Sequence, residues 1–395
     1  MKSKQIKKLY ISNFLTGLVF WYGIEKLFMQ SIGISAIGIG AITAALTIFL
    51  VIFDIPAGIL ADKWSRKGML VVSALALGLT SLVAGVSQSL LIYLIADLFY
   101  GLYVVTSSGT YQALIYDSLH EENRSDQYSK INGRIFALFL VGTGVGNIAS
   151  GFIAHKYGFR TSYYLTIIPC LLNVAVILTL HEPTFHKALN KDRLLHQIGR
   201  ATVAISKLKL VRTLAVVFSL FAVIELFKLE FGQLYMFHYV AAPQAIGILW
   251  AVYSFAMAFG SVLAHKFRAR LNILIVCSVV PLVLMGIIDN RLSLVLFMVQ
   301  AVASAALLNQ IETRIQENTP SAVRASVISV VSTLGRAVAV PASFLLGFLF
   351  KNYSALIAVQ FIAVVGIIAL AYWLIASRHI PYANELVNTA ETITV

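Results

Sequence analysis

Apolar runs of about twenty residues, separated by short polar loops, recur through nearly the whole chain, which is the length a helix needs to cross a lipid bilayer. Such runs leave little room for any other fold. Of the 395 residues, 59% are apolar and 12% charged, whereas charge in soluble domains runs near a quarter. The expectation is an all-α membrane protein of 12 transmembrane helices. The first six are placed at 10–29, 39–61, 69–86, 90–115, 131–154 and 162–180. The second six fall at 213–239, 245–264, 271–287, 292–311, 325–350 and 355–376.

The formal charge of +13 raises the question of a nucleic-acid partner. With the amino terminus placed inside, about 23 of the 30 Lys and Arg fall in cytoplasmic segments, so membrane topology accounts for the basic balance. Both termini are then cytoplasmic and no nucleic acid is implied. Lys2 to Lys8 precede an apolar run with no small-residue cleavage site, so the first helix is expected to be kept. Cys170 and Cys277 lie inside apolar runs and read as single buried thiols, without a disulfide or metal role.

The two sets of six helices are related. Ala-Ile-Gly-Ile-Gly at 36–40 matches Ala-Ile-Gly-Ile-Leu at 245–249. Residues 58–64 match 261–267, where His265 replaces Asp62, and Gly151 with Phe152 matches Gly347 with Phe348. Three pairs in one order indicate two pseudo-symmetric six-helix bundles, 1–180 and 213–377. A basic cytoplasmic linker, 181–212, joins them, and 378–395 form a cytoplasmic tail. Related bundles of this kind hold substrate between them near the bilayer midplane.

Where the second apolar run ends, charge is dense. Gly58, Leu60, Ala61, Asp62, Lys63, Arg66, Lys67 and Leu70 resemble the G-x-L-A-D-R-x-G-R-K-x-x-L loop signature of the major facilitator superfamily, with Lys63 and Ser65 departing from it. The resemblance implies a conformational latch. In it Asp62 faces the start of helix eleven near Ser326, and Arg66 pairs with Asp117 at the inner end of helix four. The alternative is that Lys63, Arg66 and Lys67 only set topology. Gly58 would allow a neighbouring helix to approach closely. Asp54 shares a face with Gly58 and Asp62, and either extends the latch or carries a proton. Glu317 and Arg324, with Glu312, look like a second-half counterpart.

In helix five, Gly142, Gly146, Ser150 and Gly151 resemble the G-x-x-x-G-P-x-x-G-G signature of bacterial drug:proton antiporters, with Asn147 in place of Pro. Small residues at 142, 146 and 150 also form a plain packing face, which explains them equally well. Gly158-Phe-Arg160 resembles the G-W-R that opens helix six. Proton-linked members often carry Arg in helix four, three residues before Gln; here Asp97 precedes Tyr100 and Gly101.

Charges inside apolar runs mark the candidate cavity. Asp97 is a candidate proton carrier, or else a hydrated residue near the outer surface. Glu25 lies beside Trp21 and Tyr22, an arrangement that suits a lipophilic cation, while aromatics there also fit an interfacial belt. Lys26 is expected to run outward, away from Glu25. On helix seven Glu225 and Lys228 are three apart and can neutralise each other, with Glu230 nearby. Arg336 requires an acid or an anionic ligand, with Glu225, Asp97 and substrate as the possible partners.

These features point to a proton-coupled secondary transporter, a multidrug-efflux-type antiporter that exports lipophilic or cationic molecules by alternating access. The alternative is an importer or a lipid or metabolite carrier, with Arg336 binding an anion. No cofactor is expected, only an ion gradient; partners are the small-molecule substrate and membrane lipids, and the protein reads as a monomer of the inner membrane. The eight His are scattered, and no phosphate-binding loop is present, so neither an enzyme nor an ATP-driven pump is indicated.

Overall fold

A computed structural model describes residues 2–124, 127–183, 194–264, 270–320 and 323–378. The described residues contain helices and no strands. Helix α1 (Lys2–Gly17) and the short α2 (Glu25–Ser31) share the first apolar run, followed by α3 (Ala36–Lys63) and α4 (Arg66–Val86). The fourth run is divided between α5 (Leu90–Ser107) and α6 (Thr110–Glu121), with Gly109 between them in the left-handed region at φ 69°. Then come α7 (Tyr128–Tyr157), α8 (Phe159–Leu178) and the linker helix α9 (Leu194–Lys207).

The seventh run is α10 (Lys209–Leu226), a π-helical turn over Phe227–Phe231, and α11 (Gly232–Tyr239). Helices α12 (Pro243–Leu263), α13 (Leu271–Met285), α14 (Leu292–Glu317), α15 (Arg324–Asn352) and α16 (Ala355–Ser377) complete the chain. Among the described residues, 10 helices are long and apolar enough to cross a membrane. The first and ninth of the twelve runs fall outside that count: the first breaks after Gly17, and α13 has only 15 residues. Large apolar side chains such as Leu91, Leu171, Val262 and Ile375 are exposed, a surface suited to lipid rather than water.

Packing divides the chain into two compact units: Met1–Leu189 with Gln233–Phe255, and Asn190–Gly232 with Ala256–Val395. In the first, α4 packs along α5 and α8, and α1 against α7 and α8. A closed ring of hydrogen bonds ties α1, α6 and α8 together. Ser12 Oγ meets Asn173 Oδ1 at 2.7 Å and the Tyr111 hydroxyl at 2.9 Å, and Asn173 Nδ2 donates to Thr16 Oγ1 at 2.9 Å. Polar groups inside an apolar bundle are tolerated when they satisfy one another in this way. In the second unit α13 packs on α14 and α16, α10 on α15 and α16, and α9 lies against α15.

The small residues of α7 act as close-packing positions. A Cβ at Gly142 would run into the Phe14 carbonyl and one at Gly146 into the Val19 carbonyl, while one at Gly151 would strike the backbone of Pro243. Gly58 does not share this role: it is exposed, and a Cβ there would meet nothing within 4 Å. The glycine that lets α3 approach its neighbour is Gly101 of α5, which receives the Phe49 ring. Cys170 is buried, but Cys277 is exposed on α13, because an apolar position in a spanning helix can face lipid as readily as protein.

Candidate functional site

The first apolar run stops being helical after Gly17, where its backbone crosses that of α7 at Gly142 and Gly146, and it resumes at Glu25. The break turns Trp21 inward. Only 2% exposed, it donates Nε1 to Ser81 Oγ at 2.9 Å and stacks on Tyr163 with ring centroids 5.2 Å apart. Tyr22 and Tyr100 meet the same indole edge-on, and Phe28 packs on Tyr163 from the far side. Trp21 is therefore a core residue of the first unit and not part of an interfacial belt.

Glu25 sits at this cluster's polar edge. Its Oε1 accepts from the Tyr93 hydroxyl at 3.3 Å, and that hydroxyl lies 3.0 Å from the hydroxyl of Tyr163. Lys26 does not run outward: it is 4% exposed and its Nζ lies 3.2 Å from Glu25 Oε1. Burial makes an uncompensated ammonium costly, so the flexible side chain folds back across the first turn of α2 to its neighbouring carboxylate. The Lys26 backbone N–H donates to Gln233 Oε1 at 3.0 Å, and Gln233 Nε2 donates to the Tyr22 carbonyl at 2.6 Å. Asp97 is 7% exposed on α5, one turn from both Tyr93 and Tyr100.

Tyr93 and Tyr100, the latter noted only for following Asp97, and Tyr163 were missed as site residues. The signal for the first two was available, since they flank Asp97 at minus four and plus three on one helix face. Nothing in sequence spacing points to Tyr163.

The second unit holds a different polar cluster. Lys228, 1% exposed within the π turn, places Nζ 2.7 Å from Glu225 Oε1, 2.5 Å from Ser304 Oγ and 3.9 Å from Met257 Sδ. Arg336 is half-buried on α15, next to Gly335, whose Cβ would press on Ala222 and Phe218 of α10. Glu230 is half-buried in the π turn.

At the loop between α3 and α4, Arg66 and Asp117 form an ion pair with both side chains largely buried. Ser65, a departure from the loop signature, is the N-cap of α4, its Oγ accepting from the Gly68 N–H at 2.8 Å. Glu182, also missed, completes that cap: its carboxylate accepts from Ser65 Oγ and from the N–H groups of Arg66 and Lys67, each at 2.8 Å. A carboxylate is favoured there because the first N–H groups of a helix have no partner within it. Lys67 Nζ donates to the Leu178 carbonyl at 2.6 Å and Lys8 Nζ to that of Thr179 at 2.7 Å, cations at the carbonyl end of α8. Arg160 does likewise at the end of α4, donating to the Gly85 and Ser87 carbonyls.

Of the other latch residues, Asp54 is half-buried on α3 and Glu317 is exposed at the end of α14. Arg324 folds back to donate to the Thr319 carbonyl at 3.2 Å. The side chains of Asp62 and Lys63, and residue His265, lie outside what the structure describes.

The fold is shared with solved transporters. The nucleoside transporter NupG superposes with a TM-score of 0.73 at 16% identity, covering 94% of this chain and 98% of that one. A bacterial homologue of the human lysosomal transporter Spinster gives 0.74 at 14% identity over 95% and 97%, and the xylose transporter XylE of E. coli gives 0.71 at 12% over the full length of both. Among curated sequences, an uncharacterised MFS-type transporter of Methanocaldococcus jannaschii is 25% identical over 197 residues, 48% of this chain and 49% of that protein. An uncharacterised transporter of Buchnera aphidicola is 25% identical over 146 residues, 37% and 36% of the two chains. The chain thus spans about half or less of the length of these curated relatives. The profile described as Major Facilitator Superfamily matches residues 9–289, most of the chain. With the signature loop, the helical architecture and that match in agreement, this multi-pass membrane protein belongs to the major facilitator superfamily of transporters.

Proposed function

We propose that the protein is a proton-coupled secondary transporter that exports lipophilic or cationic small molecules across the inner membrane by alternating access. The observation that carries this reading is a pair of acids near the break in the first helix: half-buried Glu25, hydrogen-bonded by Tyr93, and buried Asp97 on the adjoining helix. Acids inside a membrane bundle are costly and are kept where they move protons or bind substrate. A cationic substrate would take the place of Lys26 as the partner of Glu25, with the half-buried rings of Tyr22 and Tyr100, backed by Trp21, contributing apolar and cation–π contact.

On this reading twelve helices cross the membrane with both termini cytoplasmic, α1 with α2 forming the first span and α13 the ninth. The halves 1–180 and 213–377 rock about the substrate, driven by an ion gradient without a cofactor, and the protein works as a monomer. Arg66 and Asp117, with Asp54, Asp62 and Lys67, form the latch, and Glu317 with Arg324 its counterpart. In proteoliposomes with an imposed pH gradient, a substrate screen should find compounds whose movement drives proton release. Asp97→Asn or Glu25→Gln should abolish that release, and full proton release in both variants would sink coupling through these acids.

A second reading, an importer of a polar or anionic metabolite, is favoured by half-buried Arg336 and by fold neighbours that carry nucleosides and xylose. It predicts uptake in place of extrusion, with anion binding lost in Arg336→Ala.

A further inference from the structure

Gln300 lies on α14 inside the second unit, 1% exposed, and neither the amide nor the carbonyl end of its side chain has a hydrogen-bond partner among the described residues. A buried carboxamide left open at both ends costs free energy that an apolar residue of the same shape would not, so its presence calls for a reason outside the folded chain's own bonding. One turn along the same face is Ser304, which Lys228 holds at 2.5 Å. Lys228 reaches it from the π turn, a helix irregularity of the kind that recurs at functional sites. The π turn brings Phe227, Lys228 and Phe231 to full burial within five residues.

The lysine at this place already has an acid beside it. Glu225 lies 2.7 Å from the Lys228 ammonium, so a ligand bringing net charge of either sign would leave one ion uncompensated in a dry interior. What Gln300 lacks is a group offering an acceptor to its NH2 and a donor to its carbonyl together. We propose that Gln300, beside Ser304 and Lys228, is a substrate-recognition site of the second unit for an uncharged group that carries a hydrogen-bond donor and acceptor side by side, such as an amide or an aminopurine edge. This deepens the transporter reading and rests on it, adding that the transported molecule bears such an edge whatever its remaining body.

The test measures binding rather than transport, so that failure of proton coupling or of the export direction does not bear on it. Full-length protein in lipid nanodiscs is titrated calorimetrically with two probe pairs, benzamide against acetophenone and adenosine against purine riboside, whose members differ in the amino donor. In at least one pair the amino member should bind about tenfold more tightly. The preference should vanish in Gln300→Met, and that variant should melt at or above the wild-type temperature, because it removes an unsatisfied buried group. Gln300→Leu provides the same readout with a branched side chain. The proposal is overturned if wild-type protein prefers neither amino member, if the preference survives both substitutions, or if both variants melt lower or fail to fold, since Gln300 would then be serving structure.

Discussion

Each unit sets a half-buried Glu beside a buried Lys at an irregularity in its first long helix, yet the two pairs are housed in different ways. Glu25 and Lys26 follow an outright break, walled by Trp21, Phe28, Tyr93 and Tyr163. Glu225 and Lys228 stay on a continuous helix that widens by a π turn, and their surroundings are a serine hydroxyl and a methionine thioether. A break pinned by glycine crossings and stacked rings cannot rejoin the helix without moving several side chains. A π turn returns to α by shifting its hydrogen-bond register within one turn. The first irregularity is thus fixed by packing against other helices, and the second by a local change of hydrogen-bond register.

The largest effect should come from uncompensated charge. Glu25→Gln and Glu225→Gln each strand a buried lysine, and each should lower stability by about 3–5 kcal/mol in detergent unfolding. Adding Lys228→Met to Glu225→Gln should recover most of that loss, whereas adding Lys26→Met to Glu25→Gln should recover less, because Tyr93 also depends on Glu25. Equal recovery at both sites would erase the contrast.

Backbone crossings sharpen it next. Gly146→Val places a side chain against the Val19 carbonyl and should cost about 1–3 kcal/mol, with loss of the break geometry read by tryptophan fluorescence of Trp21. Gly58→Ala, with open space around it, should leave stability unchanged or raise it slightly.

A smaller effect concerns the loop pair. Reversing Arg66 or Asp117 alone should lower transport, and the double reversal should restore part of it, with a coupling of about 0.5–3 kcal/mol; additive losses would argue against contact. The same exchange at Glu225 and Lys228 should not be tolerated, since Ser304 is placed for an ammonium at position 228.

The apolar runs and their basic loops were enough to read an all-helical membrane fold and, with the signature loop, its superfamily. Glu25, Trp21, Asp97 and Glu225 stood out because charge or a bulky ring inside an apolar run is itself a local signal. Tyr163, Glu182 and Gln300 carried no such signal. A tyrosine in a spanning helix, a glutamate in a loop and a glutamine in an apolar run are each unremarkable until the chain is folded. Lys26 was misread for a related reason: its direction depends on a break in the helix, and that break depends on where α7 crosses it.

The sequence alone therefore determined the solvent the protein lives in, the places of its apolar runs and the residues whose charge lipid would not tolerate, because these follow from hydropathy and spacing along one dimension. Only the tertiary structure decided where the first and seventh helices depart from regularity, which groups surround Glu25, and which carboxylate caps α4. Those outcomes depend on contacts between residues up to 211 apart in the chain, such as Tyr22 with Gln233, and no local pattern encodes them.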